Sequence, residues 1–100
     1  MPIEFEVDKR KDYSVLSFTI AGNDILSPSD LNNIQLPKIE NKGVIISGRG
    51  PVWLFCYLTN ELFPESVSWI ATYDPRLNGA VVVARYEKSA PAIGEIIKVE

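Results

Sequence analysis

The chain has 100 residues, 46% hydrophobic and 23% charged, a make-up that fits one folded domain. A net charge of −3 gives no bulk attraction for long nucleic acid and argues against DNA as a partner, while leaving room for a local basic pocket. Cys56 is the single cysteine, which excludes an internal disulfide, and the absence of histidine removes the commonest general base and transition-metal ligand.

Residues 3–7 alternate Ile3, Phe5 and Val7 with Glu4 and Glu6, the pattern of a half-buried strand. Residues 13–20 alternate again, with Leu16, Phe18 and Ile20 on one face and Ser17 and Thr19 on the other. The charged run Asp8 to Asp12 joins the two as an antiparallel hairpin. Ser27-Pro28-Ser29-Asp30 opens a short helix whose Leu31 and Ile34 face the core, and Pro37 disfavours helical geometry at Leu36. Val44, Ile45 and Ile46, between Gly43 and Gly48, read as a strand buried on both faces. Pro51 suits the first position of a helix running to about Leu62. That helix is apolar nearly all round, so either a second copy covers it or it is wedged between the sheet and the N-terminal elements. Cys56 within it reads as a small core hydrophobe.

Trp69–Tyr73 is again strand-like, and the loop Asp74 to Gly79 leads into the strand Ala80–Ala84. Residues 85–92 form a loop, and Gly94–Val99 closes the sheet as an edge strand. The expected fold is α/β: one domain over 1–100, a mixed sheet with an N-terminal hairpin and a central strand–helix–strand crossover, Rossmann-like or ferredoxin-like. Met1-Pro2-Ile3-Glu4 is not a signal peptide and no apolar run approaches the about 20 residues that span a bilayer, so a cytoplasmic protein with no membrane partner is expected.

If the strands flanking the crossover helix are parallel, the turns Ser47-Gly48-Arg49-Gly50-Pro51 and Asp74-Pro75-Arg76 share one sheet end, where α/β sheets bind ligands. Glycines let the backbone approach an anion, arginine can clamp a phosphate, and an aspartate can hold a metal or accept a proton. The plainer readings are an ordinary glycine turn and a turn-capping aspartate in a surface ion pair. Trp53 and Trp69 read as core or interface before base-stacking platforms.

GVIISGRGPVWL at 43–54 and TYDPRLNGAVVV at 72–83 resemble the small ring nuclease family of type III CRISPR systems, the manganese-dependent kind also found fused to an ATPase-like domain. The resemblance implies a single ring-nuclease-like domain distantly akin to cyclic-nucleotide sensors. It implies a homodimer, open to higher assembly, that binds cyclic tetra-adenylate or short adenylate RNA and uses Mn²⁺. Carried onto this chain, it makes Ser47, Gly48, Arg49, Gly50, Pro51, Asp74 and Arg76 ligand-binding, Asp74 and Arg76 catalytic, and Asp74 the metal ligand. The family's histidine after the crossover helix has no match. The region from Asn60 to Glu65 offers carboxylates instead, so either Glu65 or Glu61 takes the role or the chain binds without cleaving. An interaction module built on the apolar helix is the reading from another class.

Overall fold

The alternating runs that open the chain pair as an antiparallel hairpin, β1 (Ile3–Lys9) and β2 (Ser14–Ile20), in register from Ile3 opposite Ile20 to Lys9 opposite Ser14. Pairing continues through Asp8 and Lys9, two residues beyond the alternation. The Arg10 N–H then donates to the Tyr13 carbonyl at 2.8 Å and closes the turn. The structure is a computed structural model and describes residues 2–21, 25–62 and 67–99.

Ser27-Pro28 begins a 3₁₀ helix, Pro28–Asn33, with the Asp30 carboxylate accepting from the Ser27 N–H at 2.8 Å. The β-branched run follows as β3 (Gly43–Gly48), then helix α1 (Val52–Leu62), β4 (Trp69–Asp74), β5 (Gly79–Arg85) and β6 (Ile96–Ile97). The sheet runs in chain order from β1 to β6, with β2, β3 and β4 mutually parallel and the outer pairs antiparallel. Two crossovers of one hand, stepping the same way, leave both connecting segments on the same face.

The core bears this out. Leu26 and Ile39 from the first crossover and Leu54, Leu58 and Leu62 from α1 pack with Leu16, Phe18, Val44, Ile46 and Ile70. Leu31 and Ile34 are partly buried against the same cluster, as expected. The opposite face gathers Val15, Ile45, Trp69, Ala71, Ala80 and Val82, with Ala90, Ile97 and Val99 of the C-terminal segment laid against them. So β3 is covered on both sides. The radius of gyration of the chain, 13.1 Å, is that of a compact 100-residue domain. Among the described residues no helix is long and apolar enough to cross a membrane.

Several expectations need correction. Helix α1 begins at Val52, and Pro51 lies just before it with its carbonyl accepting from the Leu54 N–H at 3.1 Å. Cys56 is exposed, because the buried stripe is Leu54, Leu58 and Leu62 at i, i+4 and i+8. Trp53 and Phe55 are half-buried against the core while Val52 is 78% exposed, so the helix is wedged on one side and open on the other. Asp74 and Gly79 pair across β4 and β5, which shortens the loop between them to residues 75–78. The last strand shrinks to Ile96–Ile97, since Glu95 and Gly94 meet Val82 through isolated bonds of 3.0 and 2.9 Å.

The Leu58 side chain is completely buried between helix and sheet. Leu58→Ala deletes it from a packed layer and is expected to cost about 2.7–5 kcal/mol. A urea melt checks this through a lowered midpoint at unchanged slope.

Among the described residues, one α-helix and one 3₁₀ helix are left to cover one face of a six-stranded sheet. On their side of the sheet Val83 of β5 is left 46% exposed, and a groove opens between α1 and the β4–β5 hairpin. Strand order never reverses, so this crevice comes from uncovered sheet, unlike the crevice at a reversal point of a doubly wound fold.

Candidate functional site

The turn from β3 into α1 lies directly on the ring of Phe18 from β2. A Cβ at Gly48 would sit 2.7 Å from the Phe18 carbonyl oxygen and 2.8 Å from the ring; one at Gly50 would sit 2.8 Å from the ring. Gly48 also has φ of 153°, a conformation that side chains avoid. Phe18 is itself fixed edge-on against Phe55, with ring centroids 5.3 Å apart. Both glycines are therefore needed to seat the turn. Arg49 between them is exposed and has no ion-pair partner among the described residues.

The second turn is built by Asp74. Its Oδ1 accepts from the Arg76 backbone N–H at 2.9 Å, and its carbonyl accepts from the Leu77 N–H at 3.1 Å. The Arg76 guanidinium lies along the same carboxylate, Nε to Oδ1 at 3.4 Å and Nη2 to Oδ2 at 3.3 Å. Asn78 takes a left-handed φ of 52°, which asparagine tolerates, and returns the chain into β5. Hydrogen bonds from the Arg76 side chain, then its backbone, hold the Asp74 carboxyl below the ordinary aspartate range. A lowered carboxyl stabilises the fold above the unfolded value, and that contribution disappears as pH falls through the folded one. The Arg76 side chain is 89% exposed, so the ion pair contributes little stability and its arginine is easily drawn to another anion.

Ile46 of β3 lies opposite Thr72 of β4 in parallel register, so Gly48 and Asp74, each two residues on, end their strands side by side. They meet at one end of the groove, whose volume is about 760 Å³. Its helix wall is Val52, Phe55, Cys56 and Thr59, and its sheet wall includes Thr72 and Val83.

Of the turn residues that the sequence offers as a candidate site, Gly48, Asp74, Pro75 and Arg76 line this groove. Arg49, Gly50 and Pro51 belong to the same turn but do not line it. Alternation puts Ser47 with Ile45 on the opposite face of the sheet. Glu61 stands nine residues after Val52, about 13 Å along the helix, at the end far from both turns. There it raises the Tyr57 hydroxyl, secondarily to burial. Glu65 lies outside the described residues.

The groove's walls were missed from sequence. Val52, Phe55, Cys56 and Thr59 recur at i, i+3, i+4 and i+7, one helical face, and that spacing was the available signal.

Mn²⁺ at Asp74 does not fit the described residues of a single chain. No three His, Cys, Asp or Glu groups come together among them, and both Asp74 oxygens already accept from Arg76. An oxygen-rich octahedral set is what Mn²⁺ takes.

Two arginine-bearing turns side by side at a helix start form an arrangement suited to a small anion. The model of a family described as CRISPR-associated protein (Cas_csx3) matches residues 19–98, spanning both turns, and the chain belongs to that family. A protein of Aquifex aeolicus (strain VF5), described only as uncharacterized, is 39% identical over 80 residues, covering 75% of this chain and 69% of its own length.

Proposed function

We propose that this CRISPR-associated protein binds cyclic tetra-adenylate across the Gly48-Arg49-Gly50 and Asp74-Pro75-Arg76 turns and linearises it, ending an antiviral signal. The observation that carries the reading is the alignment of the two turns at adjacent parallel strand ends, at one end of one groove. A ribose 2′-hydroxyl gives up its proton to water as it attacks the neighbouring phosphorus; the new P–O bond closes a 2′,3′-cyclic phosphate, the P–O5′ bond breaks, and the leaving 5′-oxygen takes a proton from water. Arg76 stabilises the charge that develops on phosphorus, and Asp74 positions the hydroxyl and the arginine. A two-fold homodimer presents each group twice to a four-fold ring. Short adenylate RNA offers the same phosphates and bases.

Binding without cleavage is the second reading, favoured by the absence of histidine from the chain. Calorimetric titration with cyclic tetra-adenylate tests the part common to both. Saturable heat supports the site; no heat at any workable concentration leaves the apolar helix as the remaining reason for the protein. Affinity is expected to stay level between about pH 5.5 and 7.5, because Asp74 is ionised throughout and no histidine titrates. Titrations at several pH values check this, and a step near pH 6.5 would contradict it.

A further inference from the structure

We propose that Thr59 selects the base in this groove, accepting a hydrogen bond from an exocyclic amino group and so favouring adenine over a 6-oxo purine. The inference rests on the nucleotide-binding reading above and adds a residue and a chemical criterion to it.

Thr59 is half-buried on α1 and lines the groove. Its hydroxyl lies 2.8 Å from the Phe55 carbonyl, one helical turn back. A carbonyl can only accept, so the hydroxyl proton is committed to it. What Thr59 offers the groove is lone pairs. A group facing it must therefore donate. The 6-amino group of adenine does so; the 6-oxo group of hypoxanthine or guanine sets one acceptor against another.

The position suits a base whose phosphate sits at the turns. Val52 stands at the helix start beside the Gly48 end of the groove, and Thr59 follows seven residues later, about 10 Å along the axis. That distance is comparable with the reach from a nucleotide's phosphate to the far edge of its purine. Between the two, Val52 and Phe55 on the helix and Val83 on the sheet supply apolar walls for the ring faces. Val52 is 78% exposed and Val83 46% exposed, so apolar surface lies open where a base would cover it.

The test measures affinity for cyclic tetra-adenylate and for the corresponding inosine ring, with wild type, Thr59→Ser, Thr59→Val and Thr59→Ala. Wild type and Thr59→Ser, which keeps the hydroxyl and its bond to Phe55, are expected to prefer the adenine ring by about fivefold or more, the worth of one net hydrogen bond. Thr59→Val and Thr59→Ala are expected to bind the two rings within about twofold of each other. Thermal melts identify any variant that does not fold. Wild type without preference, or a folded valine or alanine variant that keeps the preference, overturns the role of Thr59 while nucleotide binding stands. Wild type that binds neither ring overturns the functional reading, and the Thr59 inference with it.

Discussion

Arg76→Ala is expected to lower affinity for cyclic tetra-adenylate by about 10- to 150-fold, the loss of about 1.5–3 kcal/mol for one hydrogen bond to a charged group. The melting temperature should hardly move. Arg76 projects from a hairpin turn with its side chain 89% exposed, and the Asp74 it leaves behind still accepts from the residue 76 backbone N–H. An exposed ion pair contributes about 0–1 kcal/mol to stability. Affinity and melting temperature are measured on one preparation. Normal binding by a variant that melts early would make Arg76 a structural turn residue.

Gly48→Ala is expected to damage both properties together. An alanine there inherits a φ of 153° and a Cβ 2.7 Å from the Phe18 carbonyl, which is backbone and cannot rotate away. Backbone strain of this kind costs about 1–3 kcal/mol, and relief must come from shifting the turn that carries Arg49. Gly94→Ala makes the control. Its φ of 86° is also a glycine conformation, but nothing lies within 4 Å of an added Cβ. It carries the strain without the clash and lies outside the groove, so stability should fall modestly while ligand affinity holds. Chemical denaturation of both variants, with a titration of each, separates the two effects; equal loss of affinity in both would detach Gly48 from the site.

Where one residue set one local outcome, the fold was readable beforehand. Alternation fixed the β1–β2 hairpin, the run Val44–Ile46 fixed the doubly covered strand, and a proline beside two glycines marked the strand-to-helix turn. Outcomes that depend on two distant segments were harder to read. Cys56 was assigned to the core because the whole helix is greasy, yet which face is buried depends on where the sheet stops being covered. Ser47 shares a turn with Arg49 but is sent to the far side by the pleat of β3. Both turns were found as candidates because glycine, aspartate and arginine advertise their chemistry. The groove beside them was not found, because its walls include ordinary valine, phenylalanine and threonine, and only the sheet that α1 leaves uncovered makes them a surface.

The central claim is that the two turns handle one cyclic oligoadenylate. Single-turnover incubation of excess wild-type protein with labelled cyclic tetra-adenylate, with and without Mn²⁺, addresses it most directly. The account predicts conversion of the ring to a linear adenylate ending in a 2′,3′-cyclic phosphate, and its loss in Arg76→Ala. An intact ring under both conditions, from protein that also fails to retain it, would contradict the claim.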